Sequence, residues 1–191
     1  MNIVIPVLNE EKILREKEEY FHWLKSRARI IFVDGGSTDK TVELAKNYGD
    51  IVCSTRGRAS QKNAGVDACQ SENILFLHVD TFLNDDALAA MTSVLANGIC
   101  GGCFTLVAED KKFIFRIFER LVNFRAKTFK VIDGDLGLFV KRNIFEQLNR
   151  FDRVSVMEDI LFSKKLRRAG KIVVLPETIC VSSRKWYEKG F

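Results

Sequence analysis

Large apolar residues recur along this chain in short blocks, each of which ends abruptly in polar ones. Asn2-Ile3-Val4-Ile5-Pro6 is the first, and Ile30-Ile31-Phe32-Val33 runs directly into Asp34-Gly35-Gly36-Ser37-Thr38-Asp39. Ile51-Val52-Cys53 and Ile74-Leu75-Phe76-Leu77 repeat the form, the latter ending in His78-Val79-Asp80-Thr81. Runs of this length that are apolar throughout predict strands buried on both faces, as in a parallel sheet. Between them the spacing becomes helical. Asn9 is the expected N-cap of a helix reaching about Lys25, with Ile13, Leu14, Phe21 and Leu24 on one face and Glu10 and Glu11 in its first turn. Ser37 or Thr38 is expected to cap the next, which packs Val42, Leu44 and Ala45 inward and stops at Gly49. Further helices are predicted from Ser60 to about Cys69 and from Asp85 to Leu95. Strands alternating with helices in this way imply βαβ units and an α/β fold.

The second half is less regular. Phe104 to Val107, Leu136 to Val140 and Lys171 to Leu175 read as strands, the last stopping before Pro176. Asn143 to Leu148 reads as a short helix, and Met157 to Arg168 as a longer one ended by Gly170. Lys112 to Lys130 is predicted helical, with Ile114, Ile117, Phe118, Leu121 and Phe124 in a stripe and Arg116, Arg120 and Lys127 nearby. Such a helix either lies at a lipid interface, meeting a lipid-linked acceptor, or packs on the sheet with its arginines solvated, the commoner arrangement. No repeat, low-complexity stretch or linker interrupts the chain, so one domain over residues 1–191 is expected.

Composition narrows the picture only slightly. With 191 residues and 47% hydrophobic content, the chain can bury a sizeable core. A net charge of +5 suits an anionic small substrate or an acidic membrane surface. No dense basic arm or aromatic RNA-binding signature points to nucleic acid. The five cysteines are an odd number and fit a reduced cytosolic protein. Cys100-Gly101-Gly102-Cys103 has no second ligand pair, so small residues at a close backbone approach are expected there. No signal peptide or membrane-spanning stretch is apparent, which predicts a cytoplasmic protein with at most peripheral contact at the cytoplasmic face of a membrane.

The candidate chemistry gathers where apolar blocks end. Open α/β sheets bind ligands in the crevice at the carboxyl ends of their strands, where Asp34 and Asp80 would converge. Asp80 is either an oxygen ligand for a divalent cation or a turn cap, and His78 either a second ligand or a hydrogen-bonded structural group. Arg56, Arg58 and Lys62 surround Gly57 just before a helix, either a phosphate site or a solvated basic loop, with Gln61 and Asn63 adding fixed hydrogen bonds. Glu158 and Asp159 open a helix, where they either stabilise its dipole or supply a general base. Asp133-Gly134-Asp135 precedes a strand instead of following one and reads as a turn lining the site.

Taken in order, Ile5-Pro6-Val7-Leu8-Asn9-Glu10-Glu11, Val33 to Asp39, Phe76 to Thr81 and Met157-Glu158-Asp159 resemble the motif series of glycosyltransferase family 2. Arg56 to Gly65 and Gly134 to Val140 resemble, more narrowly, the rSAM/selenodomain-associated transferase 2 subgroup. The resemblance implies a GT-A fold: a Rossmann-like, mostly parallel sheet flanked by helices in three α/β/α layers. It also implies a nucleotide-sugar donor, UDP- or GDP-linked, inversion at the anomeric carbon, and Mg2+ or Mn2+. The acceptor would be a sugar, a lipid-linked group or a small molecule. By the same resemblance Pro6, Leu8, Asn9 and Glu10 would hold the nucleoside together with Asp34, Gly36 and Ser37. Arg58, Lys62, Asn63 and Asp80 would complete the donor side, with Asp80 on the metal and diphosphate. Asp159, beside Glu158, would be the base, and Gly134 and Asp135 would line the acceptor side.

His78 departs from the family by standing where D-x-D has its first carboxylate. The family's Q-x-x-R-W motif is also absent, with Ser183-Arg184-Lys185-Trp186 as a local counterpart. There Arg184 is the candidate diphosphate clamp and Trp186 the candidate sugar platform. Two rival activities remain: a nucleotidyltransferase making a nucleotide-sugar, and a non-catalytic nucleotide-binding module. The acidic turn after the first strand speaks against a triphosphate site.

Overall fold

The computed structural model describes residues 1–189. In chain order the elements are β1 (Asn2–Val7), α1 (Glu11–Glu16), α2 (Glu18–Lys25), β2 (Arg29–Asp34), α3 (Thr41–Ala45), β3 (Asp50–Cys53) and α4 (Arg58–Asp67). β4 (Asn73–Phe76), β5 (Thr81–Phe82), α5 (Asp85–Ala96), β6 (Gly101–Ala108) and α6 (Phe113–Phe129) follow. A single 3-10 turn (Gly134–Leu136) then leads to β7 (Leu138–Lys141), α7 (Arg142–Gln147), α8 (Glu158–Ala169), β8 (Ile172–Val181) and α9 (Arg184–Lys189).

The strands form one sheet in the order β3-β2-β1-β4-β7-β6-β8-β5. β1 pairs in parallel with β2 and β4, β2 with β3, and β6 with β8, while β7 and β5 run against their neighbours. Alternation of side chains across the pleat explains why the strand sequences are apolar throughout. Ile3, Ile5, Ile30 and Phe32 point into one core with Phe21, Leu24, Met91 and Leu95. Val4, Ile31 and Val33 point into the other with Val66, Phe145, Phe162 and Leu166. Helices therefore cover both faces, and the three-layer α/β expectation holds.

Several boundaries differ from expectation. The first helix is two, divided at Lys17, whose ammonium reaches Glu109 at 3.3 Å and lies over the Phe82 ring. Helical periodicity continues through this point, so the sequence pattern carries no sign of the break. Asn9 is not the cap: it has φ 53° and the helix begins one residue later. Neither Ser37 nor Thr38 caps α3: the cap position is Lys40, and the Asp39 carboxylate accepts the Thr41 N–H at 2.9 Å. β8 continues through Pro176. The β6–β8 register shifts between Cys103 and Thr105, pairing first Val174 and then Thr178, so Pro176 falls in a bulge where no N–H is needed.

The Cys100–Cys103 segment behaves as the small-residue expectation has it. A Cβ on Gly102 would run into the Val173 carbonyl oxygen, so only glycine lets β6 and β8 approach there. All five cysteines are free, and burial pushes the Cys103 thiol up to about 12, which makes it inert.

Candidate active site

Two cavities open side by side at the carboxyl ends of β1 and β4 and share a wall. The larger, about 440 Å³, is lined by Pro6, Val7, Leu8, Glu10, Arg56, Gly57, Arg58, Gln61, His78, Val79, Ser155 and Val156. Its floor is fixed by Gln61, whose Nε2 donates to the carbonyls of Val7 at 2.9 Å and Val33 at 2.8 Å, tying α4 to β1 and β2. Arg56 and Arg58 are exposed, and no ion pair or hydrogen bond engages them among the described residues. A cavity of this size, floored by backbone and rimmed by two unspent guanidinium groups, is suited to an anionic ligand.

The smaller cavity, about 250 Å³, is lined by Arg58, His78, Val156 and Met157 together with Asp133, Gly134, Asp135, Glu158, Asp159 and Ile160. At its base lies Lys62, 1% exposed, with Nζ 2.9 Å from Glu158 Oε1 and 2.5 Å from Asp159 Oδ1. Its ammonium also sits over the Phe151 ring. Burial raises the Asp159 carboxyl above its ordinary range, more than Lys62 lowers it, and the Glu158 charge adds to the rise. For Glu158 burial acts in the same direction, but the attraction and hydrogen bond of Lys62 outweigh it and hold the carboxyl below its usual range. Asp133 is raised by burial, against its ion pair with Arg125.

Gly134 keeps this cavity open. A Cβ there would lie 2.5 Å from Asp159 Oδ2 and 2.8 Å from His78 Nε2, so the missing side chain leaves space between a carboxylate oxygen and an imidazole nitrogen. His78 Nδ1 is 2.8 Å from Asp135 Oδ1, which orients the ring, while its Nε2 is buried with no hydrogen-bond partner among the described residues. His78 and Arg58 line both cavities.

The remaining sequence candidates are placed differently. Asp34 does not line the larger cavity. Its carboxylate turns back on its own loop, accepting the N–H groups of Gly36 at 2.9 Å and Ser37 at 3.1 Å and the Ser37 hydroxyl at 2.5 Å. Asn9 and Ser37 stitch the two loops together, Asn9 N–H donating to Ser37 Oγ and Thr38 N–H to Asn9 Oδ1. Lys62 is a correction: full burial on α4 takes it away from any phosphate and places it under the carboxylates. Asn63 exchanges hydrogen bonds with the Phe151 backbone and so anchors the loop before α8.

Asp80 is buried and lines neither cavity, its backbone carbonyl accepting the Ser182 N–H. Arg184 Nη2 lies 2.6 Å from Glu10 Oε2, joining the first loop to α9, and lines a separate cleft. Trp186 packs edge-on against Phe118 at 4.7 Å, on α6 and outside both cavities. The loop residues Ser155 and Val156 are wall residues that no motif marks.

A divalent cation can be tested against these groups. No cluster of three or more His, Cys, Asp or Glu side chains that could enclose a metal exists among the described residues. The orphaned Nε2 of His78, facing the space kept by Gly134, is nevertheless a free donor at the shared wall. A lone imidazole nitrogen is the most these residues would offer a cation, which would have to take its remaining ligands from the bound ligand's own oxygens.

Comparison with known proteins agrees with the architecture. An uncharacterized glycosyltransferase of Haemophilus influenzae is 28% identical over 102 residues, covering 46% of this chain and 39% of the relative. TarS of S. aureus, residues 1–349, superposes with a TM-score of 0.71 at 18% identity, over 98% of this chain and 62% of that one. The mannosyltransferase PcManGT of Pyrobaculum calidifontis, solved with GDP-Man and Mn2+, superposes with a TM-score of 0.70 at 19% identity, over 94% and 55%. The chain thus spans less than two thirds of each, and what it shares with the solved structures is the GT-A fold. The profile described as glycosyl transferase family 2 matches residues 2–190, and to that family the chain belongs.

Proposed function

We propose that this protein is an inverting glycosyltransferase that moves a hexosyl group from a UDP- or GDP-linked sugar to an acceptor hydroxyl. The observation that carries the reading is the shared wall: His78 and Arg58 stand between a nucleotide-sized cavity and a pocket of carboxylates around Asp159. In that arrangement the nucleoside occupies the larger cavity and its diphosphate meets Arg56 and Arg58. The acceptor hydroxyl enters the smaller one, toward Asp159 Oδ2. Asp159 takes the hydroxyl proton as the oxygen attacks the anomeric carbon, and the bond to the diphosphate oxygen breaks on the opposite face. Its raised carboxyl suits a base working near neutrality better than an ordinary aspartate.

A divalent cation, Mg2+ held by the donor's own oxygens or Mn2+ that could also take His78 Nε2, would neutralise charge on the departing diphosphate. Arg56 and Arg58 act on the same charge. Donor class is supported by the solved relatives, TarS in complex with UDP and the mannosyltransferase with GDP-Man and Mn2+. The narrower likeness to the rSAM/selenodomain-associated transferase 2 subgroup belongs to the same reading.

Calorimetric titration with UDP- and GDP-sugars, with and without Mn2+, tests it. Saturable binding of one donor class is expected; if no nucleotide diphosphate binds under either condition, the proposal fails.

A further inference from the structure

α6 keeps most of its apolar stripe away from the sheet, the less common of the two arrangements that its sequence allows. It packs on the sheet through Phe115, Val122 and Ala126, and its one acidic residue, Glu119, is buried with them. Glu119 accepts the Ala108 N–H at 2.6 Å and pairs with Arg116. Ile114, Ile117, Leu121 and Phe124 therefore form a ridge on the outer side of the helix. Six of the nine large apolar side chains exposed among the described residues lie on α6, with Leu121 64% and Phe124 60% accessible. Arg120 and Lys127, seven positions apart, run beside the ridge with no charged partner among the described residues, and Lys111 precedes the helix. No carboxylate on α6 faces solvent.

We propose that this face of α6 lies on an anionic lipid surface, the ridge set at headgroup depth and Arg120 and Lys127 on the phosphates. An exposed apolar ridge beside Arg120 and Lys127, on a helix with no solvent-facing carboxylate, matches an anionic interface in both components. A second copy matches the ridge but not the charge, since a two-fold contact would bring the same cations face to face. The helix leads through residues 130–133 into Gly134, so lipid binding would hold the carboxylate cavity beside the membrane.

Co-sedimentation with vesicles tests this without donor or acceptor, so its failure leaves the transfer reaction standing. Partition into phosphatidylcholine–phosphatidylglycerol vesicles is expected to exceed that into phosphatidylcholine alone by about tenfold or more, and to fall with added salt. Leu121→Glu with Phe124→Glu should abolish it at unchanged thermal midpoint, both side chains being exposed. Arg120→Gln with Lys127→Gln should remove the preference for anionic lipid. Equal binding of wild type and the Leu121→Glu/Phe124→Glu variant, no vesicle binding at all, or a lipid-free dimer that this variant dissociates would each overturn the proposal.

Discussion

Lys62 Nζ lies 2.5 Å from Asp159 Oδ1, although 97 positions separate the two residues in the chain. Two helices packed in the same core, α4 and α8, deliver them, and Glu158 completes a buried triad with one cation and two carboxylates. Breaking such a group by removing one member leaves uncompensated charge in the interior.

Lys62→Met should therefore destabilise the fold by about 3–5 kcal/mol, seen as a lowered denaturation midpoint. The deficit should shrink on acidification, as the stranded carboxylates take up protons. A loss below about 1 kcal/mol would mean the triad is solvated and the site is looser than described.

Asp159→Asn keeps the shape of the base and removes its basicity. We expect kcat to fall by about 10²–10⁴ while donor affinity stays within about twofold, since Asp159 does not line the larger cavity. Parallel loss of both would take Asp159 out of the base role.

The raised Asp159 carboxyl predicts a rising limb in the pH dependence of kcat/KM, with its midpoint above the ordinary aspartate value of about 3.9. Glu158 acts on Asp159 directly and both share Lys62, so the limb reports the pair. Their effects on stability oppose each other. Asp159 binds its proton more tightly folded than unfolded, so its contribution is lost as pH rises through its folded value. Glu158 is shifted downward, and its contribution is lost as pH falls through its own. A limb at or below the ordinary aspartate value would contradict the burial of Asp159.

Arg58→Ala should weaken donor binding by about tenfold to a hundredfold, the range of a hydrogen bond to a charged group. Because Arg58 is exposed, the thermal midpoint should not move. Unchanged donor affinity in calorimetry would place the diphosphate elsewhere.

Gly134→Ala fills the space between Asp159 Oδ2 and His78 Nε2. Turnover should drop by at least about tenfold, with the nucleotide alone still binding, because the obstruction lies on the carboxylate side of the wall. Normal turnover would show that the acceptor enters by another route.

Strand positions around the site were legible because a strand buried on both faces must be apolar at every position, as in Ile30 to Val33. Glu158 and Asp159 were legible as a pair at a helix start. The fate of Lys62 was not: beside Arg56 and Arg58 it looks like a third phosphate ligand, and only the packing of α4 against β1 and β2 turns it inward. The orientation of α6 was hidden for a related reason. Its largest apolar residues suggest the buried face, whereas the actual one includes Glu119, whose charge is met by Arg116 and a backbone N–H. Asp34 was legible as a strand-end carboxylate, but its bonds to Gly36 and Ser37 form only once the turn has closed.

The Glu10–Arg184 pair spans 174 positions and fastens the loop after β1 to α9. Arg184 thereby masks a carboxylate on the rim of the larger cavity. A chain shortened before Arg184 would lose this long-range clasp, and the loop that walls the larger cavity would be held less firmly. The last described helix thus serves as a clasp on a pocket wall that begins at the first strand.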